Sequence, residues 1–142
     1  MDTPKRYVVG FAFSKGLQSV LLIRKNRPKW QEGRLNGVGG KVEPGEDYLS
    51  AMVREFREET GLDIPPDKWK HVVTYYGPEY EVRFFYTVTD AVNEAVSMTD
   101  EHVALYGIGA LMGAPVISNL RWIIPLCLDQ FIEMPVIVRE PS

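Results

Sequence analysis

The chain predicts an α/β sandwich built on a mixed β-sheet. Short β-branched and aromatic runs stand on both sides of one amphipathic helical stretch, some of them joined by turns too short for a parallel crossover, and a second helical pattern lies near the C-terminal end. The first two runs, Tyr7 to Phe13 and Leu17 to Ile23, flank Ser14-Lys15-Gly16 and read as a hairpin. Asn26 to Asn36 is polar and holds Pro28 and Gly33. It leads into Gly37-Val-Gly-Gly-Lys-Val-Glu-Pro-Gly45, where four glycines and a proline forbid a helix interior and predict a shaped loop. A helix follows over Leu49 to Thr60, with Glu46 and Asp47 at its acidic start and Gly61 as its stop, and Leu49, Val53 and Phe56 are expected on its core side. Trp69 to Tyr76 and Tyr80 to Val88 read as strands around Gly77-Pro78, and Val103 to Ile108 as another. Asn119 to Glu133 has helical spacing in Trp122, Ile123, Leu126 and Phe131, with Pro125 either kinking the helix or marking its true start.

With 142 residues and 45% hydrophobic content, the chain is expected to form a single domain over 1–142 with its own core. A net charge of −3 gives no basic field for polymeric nucleic acid, although a single nucleotide could still bind. Cys127 is the only cysteine, which rules out an intramolecular disulfide and a cysteine-built zinc site and points to a reducing, cytoplasmic setting. The apolar run after Met1-Asp2-Thr3-Pro4 is too short for a secretory core, and no stretch reaches membrane-spanning length. A small-molecule partner and a monomer or homodimer are expected.

The chemistry concentrates between Gly40 and Leu62, where a glycine loop runs into a carboxylate-rich helix. Glu55, Glu58 and Glu59 stand at i, i+3 and i+4, neighbours on one helix stripe where like charges repel. A hard cation relieves that repulsion, because Mg²⁺ takes oxygen ligands and shares carboxylates with waters and phosphates. The preceding glycines let backbone approach a ligand closely. A plain solvated face paired by Arg54 and Arg57 is the competing account of the glutamates alone.

The whole segment has to be explained together, and it resembles the Nudix box, Gly-x5-Glu-x7-Arg-Glu-U-x-Glu-Glu-x-Gly-U with U a bulky aliphatic residue. Gly40, Glu46, Arg54, Glu55, Glu58, Glu59 and Gly61 occupy its fixed positions, a coincidence of order 10⁻⁸ at typical residue frequencies. Phe56 departs from the pattern, being aromatic where the family has an aliphatic residue. The box covers 23 of 142 residues. The resemblance implies a Nudix-type α/β/α sandwich with a mixed β-sheet and a Mg²⁺-dependent pyrophosphohydrolase, with Mn²⁺ as the alternative ion. It assigns the metal to Glu55, Glu58 and Glu59 with a backbone carbonyl at Gly39 or Gly40. Arg54 would orient the carboxylates, and one glutamate, with Glu58 favoured, would act as base on a metal-activated water. Many members add a loop carboxylate before a late strand, which places Glu101 in the metal set with Asp100 as fallback. His71 and His102 are expected to be structural.

For the substrate, Arg34-Leu-Asn36-Gly37-Val-Gly39-Gly40 is similar to the context of the oxidised purine nucleoside triphosphate hydrolases, where the asparagine faces the base. Asn119 resembles a base-contacting position of the MutT-type enzymes. Asn36 and Asn119 are therefore expected to bind a purine, and Arg24 and Lys41 the phosphates, with Trp30 or Tyr106 packed on the ring. The bland alternatives are a turn residue beside glycine for Asn36 and a helix N-cap for Asn119. The implied activity is hydrolysis of a purine or oxidised purine (deoxy)nucleoside triphosphate to monophosphate and pyrophosphate. Two alternatives stand beside it. Pro78, sixteen residues beyond Leu62, has the spacing of ADP-ribose pyrophosphatases but also suits a hairpin corner, and a non-catalytic nucleotide-binding module would need broken metal ligands.

Overall fold

The first strand is apolar on both faces: along Lys5–Phe13, Val8 and Ala12 alternate with Val9, Phe11 and Phe13, so both sides must be covered. The computed structural model describes residues 3–141. Met1, Asp2 and Ser142, the ends of the expected 1–142 domain, lie outside the described residues. In chain order the elements are β1 (Lys5–Phe13), β2 (Ser19–Arg24), β3 (Leu35–Asn36), β4 (Val38–Lys41), α1 (Tyr48–Thr60), β5 (Lys70–Tyr76), β6 (Tyr80–Val88), β7 (His102–Gly107), α2 (Leu120–Cys127) and β8 (Val136–Arg139).

The strands form one mixed sheet in the order β3-β2-β1-β6-β5-β8. β1 pairs parallel with β6 from Lys5↔Tyr80 to Phe13↔Val88. Its other edge is divided. Tyr7 to Gly10 pair with β4, and only Ala12 and Phe13 pair with β2, which turns away to meet β3 and β7. The expected β1–β2 hairpin is therefore a fork, with β4 inserted along half of the strand edge.

Pleat alternation distributes the core over both faces. Val8, Ala12, Leu21, Ile23 and Phe85 pack with α1 residues Ala51, Met52 and Phe56, and Phe11, Phe13, Val20, Leu22 and Phe84 pack with α2 residues Leu120, Ile123, Ile124 and Cys127. The α/β/α sandwich is thus as expected. Asp47 caps α1 by accepting from the Ser50 amide at 2.7 Å, and Gly61 closes it in the left-handed conformation at φ 76°. Gly10 makes room for the Met52 thioether and the Trp69 ring, both of which a Cβ would strike. The aromatic departure Phe56 is fully buried and meets Trp69 edge-on at 5.0 Å between ring centroids.

Four expectations need correction. Val38–Lys41 is a strand rather than loop, because glycines pair closely against β1. Leu49 faces solvent, since α1 buries the stripe through Met52, Phe56 and Thr60 instead. The second helix ends at Cys127 with Pro125 inside it. Trp122 is 40% exposed and Phe131 89%, so neither joins the core. The chain beyond returns as β8, parallel to β5. Pro78 lies at the corner between β5 and β6, where the Gly77 amide donates to the Tyr80 carbonyl. No helix among the described residues is long and apolar enough to cross a membrane.

Deleting the Phe56 ring leaves a cavity under α1, so Phe56→Ala should cost about 3 to 5 kcal/mol, whereas Leu49→Ala should stay within about 0.5 kcal/mol. Urea unfolding of both variants measures the contrast.

Candidate active site

The i, i+3, i+4 stripe of α1 keeps its glutamates apart from solvent to different degrees. Side-chain exposure is 13% for Glu55 and 54% for Glu58. Arg54 is the counter-charge. Its guanidinium grips Glu46 through Nε at 2.7 Å and Nη2 at 2.9 Å, Glu55 at 2.9 Å, Glu58 at 3.4 Å, and the Lys41 carbonyl at 3.0 Å. This bidentate grip holds the Glu46 carboxyl at about 2, far below its ordinary value. Burial, helped by Glu58 and Glu59, lifts the Glu55 carboxyl above its ordinary value against the pull of Arg54. Glu59 accepts from the Thr99 hydroxyl at 2.9 Å.

The Glu55 carboxylate lies directly on β4. A Cβ at Gly40 would collide with its carboxyl carbon and both oxygens, so glycine leaves the acid this position and a larger residue would push its flexible end aside. Gly39, the expected backbone ligand, is the next residue along the same strand and lines a cavity of about 990 Å³. That cavity also takes in Tyr7, Val9, Lys25, Arg27, Trp30, Asn36, Lys41, Tyr75 and Asn119. Phe11 and Phe13 pack with α2 in the core, while Lys5, Tyr7 and Val9 of the same strand line the cavity. A strand two glycines wide therefore separates the acidic helix from a space of ligand size.

The expected substrate residues Asn36, Asn119 and Lys41 all line this cavity. Asn36 is pre-oriented: its Oδ1 accepts from the Gly37 amide at 2.8 Å and its Nδ2 donates to Gln31 at 3.0 Å, leaving one donor and one lone pair free for a ligand. Asn119 precedes α2 without capping it, and its Oδ1 is buried with no hydrogen-bond partner among the described residues. Asn119 thus holds the N-cap position of α2, as the bland account has it, but its side chain makes no capping hydrogen bond. Arg24 is placed elsewhere. Its Nη1 donates to the Gly33 carbonyl at 2.9 Å, closing the loop, while Lys25 and Arg27 reach the cavity instead. Tyr106 packs in the α2-side core, and the exposed Trp30 is the indole at the cavity rim.

Glu101, expected as a fourth metal carboxylate, is buried and fully engaged. Oε1 accepts from Lys25 at 2.9 Å and Oε2 from the amides of Asn26 at 2.6 Å and Arg27 at 3.4 Å. Burial pushes its carboxyl up, but the Asn26 amide and the Lys25 ammonium outweigh that and leave it below the ordinary value. Asp100 pairs with Arg27. The loop thus fastens the two cavity cations that sequence reasoning missed. Their signal, two bases directly after a strand, is too common to single them out. Among the described residues no three acidic, histidine or cysteine side chains stand together at ligating distance. His71 meets Thr74 and Val73, and His102 is exposed beside Ser97. A second cavity of about 510 Å³ near Cys127 contains none of the expected site residues.

The fold and site define a class of domain in which a glycine strand sets an acidic helix against a nucleotide-sized cavity. The NUDIX domain model matches residues 3–111, and the chain belongs to that family. It is 41% identical over 56 residues to an uncharacterized Nudix hydrolase, YvcI, of Bacillus subtilis, a match covering 39% of this chain and 33% of that relative. Among solved structures it is similar to a MutT described for Aliivibrio salmonicida and Vibrio cholerae, with a TM-score of 0.74, 21% identity, and coverage of 89% of this chain and 98% of that one. It is also similar to the NUDIX domain of Shewanella oneidensis NrtR complexed with ADP ribose, with a TM-score of 0.71, 13% identity, and coverage of 93% and 91%. At these identities the likeness is one of fold.

Arg54 makes acid stability testable. A carboxyl depressed to about 2 contributes stability above its ordinary pKa and loses it as pH falls from about 5 to about 2. Arg54→Met removes that contribution at neutral pH, so the gap in Tm between wild type and variant should narrow across this window. A gap that is constant with pH contradicts the ion-pair geometry.

Proposed function

We propose that this chain is a Nudix pyrophosphohydrolase that splits a purine or oxidised purine (deoxy)nucleoside triphosphate into monophosphate and pyrophosphate. The observation that carries the reading is that Asn36, with one donor and one lone pair unused, and Asn119 line the same cavity as Lys25, Arg27 and Lys41. Two amides suit a purine edge, and three cations suit phosphates. Members of this family act as pyrophosphohydrolases on phosphorus-containing anhydrides.

The α1 glutamates supply the all-oxygen donors that a hard divalent ion takes, beside the carbonyls of a glycine strand, and would have to converge from their present positions to ligate it. Glu55, Glu58 and Glu59 would hold Mg²⁺, or Mn²⁺, with the Gly39 carbonyl. Bound there, the ion acidifies a water and neutralises phosphate charge. Glu58, more open than Glu55, is the candidate base. Arg54 orients Glu55 and Glu58, and Lys41 meets phosphate beside the strand. Glu101 stays outside the metal set in this reading and holds Lys25 and the Arg27 backbone instead. The single free cysteine, buried at Cys127, suits a reducing cytoplasmic setting, with one nucleotide-binding domain over 1–142 acting as monomer or homodimer.

ADP-ribose is the second reading, favoured by the ligand in the Shewanella oneidensis domain. Turnover of dGTP, 8-oxo-dGTP, dCTP and ADP-ribose, followed as released phosphate after suitable coupling enzymes, separates the two. Purine triphosphates should lead, and a lead by ADP-ribose would overturn the proposal. Asn119→Ala should cost a purine substrate about 1 to 3 kcal/mol in kcat/KM and leave dCTP unaffected.

Glu58→Gln and Glu59→Gln should each lower kcat by about two to three orders of magnitude with Tm preserved. Near wild-type turnover in either variant, with unchanged Mg²⁺ dependence, would remove that residue from the metal set.

A further inference from the structure

Arg54 bonds to Glu46, Glu55 and Glu58, but not to Glu59, the last acid of the α1 stripe. The Glu59 carboxylate is held from another part of the chain. Its Oε2 accepts from the Thr99 hydroxyl at 2.9 Å, and its Oε1 has no hydrogen-bond partner among the described residues. Thr99 belongs to a segment, residues 96–101, that closes the end of α1. The Val96 amide donates to the Thr60 carbonyl at 3.0 Å and the Met98 amide to the Glu59 carbonyl at 3.2 Å, satisfying two of the carbonyls that a helix end leaves free. These backbone bonds already dock the segment, so the Thr99 hydroxyl is not needed for that.

The direction of that hydroxyl is decided by its neighbours. The Glu101 amide can only donate, and it reaches Thr99 Oγ1 at 3.2 Å, where it takes a lone pair. An ionised carboxylate can only accept, so the Thr99 proton is given to Glu59. Glu101 carries the connection onward. Its Oε1 accepts from the Lys25 ammonium at 2.9 Å and its Oε2 from the Asn26 amide at 2.6 Å, next to the cavity residues Lys25 and Arg27. The Arg27 guanidinium is held above its ordinary value by its bond and charge pairing with Asp100 first, and then by the charges of Glu101 and Glu59. The last acid of α1 and the cavity cations are thus within each other's fields.

A glutamate side chain turns about several bonds, and on a half-buried helix face an unheld one spreads over many positions. Tying one oxygen removes much of that freedom before an ion arrives and leaves the other oxygen to ligate. Carboxylates that bind metal ions are commonly hydrogen-bonded in this way, and loss of the partner weakens the ion.

We infer that Thr99 is a positioning residue, which holds Glu59 for the divalent ion as Arg54 holds Glu55 and Glu58, and which ties that end of the site to the segment anchoring Lys25. The assignment rests on the metal role proposed for Glu59.

Calorimetric titration of Mn²⁺ into the whole chain without nucleotide, for wild type, Thr99→Val, Thr99→Ser, Ser97→Ala and Glu59→Gln, provides the test. Thr99→Val keeps the shape and removes the hydroxyl, and Thr99→Ser keeps the hydroxyl. Ser97→Ala is the control for a loosened segment, because Ser97 Oγ accepts from the Val103 amide at 2.9 Å and makes no hydrogen bond to Thr99 or Glu59. Thr99→Val should bind Mn²⁺ about tenfold more weakly than wild type, with Tm retained because Thr99 is exposed. Thr99→Ser and Ser97→Ala should bind as wild type. Turnover of Thr99→Val should be low at limiting Mg²⁺ and recover as Mg²⁺ is raised. Wild-type affinity in Thr99→Val beside weakened binding in Glu59→Gln overturns the inference and leaves the metal role of Glu59 standing. Weakening of Thr99→Ser or Ser97→Ala to the level of Thr99→Val also overturns it, since the order of the segment would then be the cause. Unchanged affinity in Glu59→Gln overturns the metal role and the inference together.

Discussion

The structure depends on one close approach, the Glu55 carboxylate resting against the backbone of Gly40. The carboxylate lies that close because the strand lacks a Cβ, and the helix carrying it is held down by Met52 and Phe56 under the sheet. The cost of bringing carboxylates onto a partly buried surface is met by Arg54, which ties Glu46, Glu55 and Glu58 to each other and to the Lys41 carbonyl of the same strand. The acidic helix and the glycine strand are therefore one unit, and neither has its geometry without the other.

The cavity follows from how that strand is accommodated. β1 gives half of one edge to β4 and the other half to β2, so the sheet splays, and the far face carries a single short helix packed with Phe11, Phe13 and Val73. What remains open is floored by Tyr7 and Val9 and bordered by the glycines of β4, with the polar loop after β2 closing one side. Glu101 fastens this loop from below through Lys25 and two backbone amides, and Thr99 in the same segment reaches Glu59. One loop thus links the cations of the cavity to the acids of α1.

The sequence showed the parts whose cause is local. The helix from Tyr48 to Thr60 was legible because its cap, its stop and its acid stripe are all within one window, and the box residues belong to the same stretch. What escaped was set by pairing at a distance. Val38-Gly-Gly-Lys41 reads as loop on its own and becomes a strand only against β1. Val136 to Arg139 is a four-residue edge strand whose existence depends on β5. The cavity asparagines were found through resemblance, but Arg24 was preferred over Lys25 and Arg27 because nothing in the sequence says which base at the end of β2 turns inward. Glu101 was placed among the metal ligands for its position in the chain, whereas its surroundings fill both oxygens with protein donors.

The most direct measurement of the central claim is Mn²⁺ binding, read by electron paramagnetic resonance on the whole chain without nucleotide, for wild type, Gly40→Ala and Glu55→Gln. If the bare backbone at Gly40 builds the metal site by admitting Glu55, both variants should stay folded and bind Mn²⁺ more weakly by about tenfold to a hundredfold. Mn²⁺ affinity unchanged in Gly40→Ala and in Glu55→Gln would contradict the account, because the contact would then be packing alone.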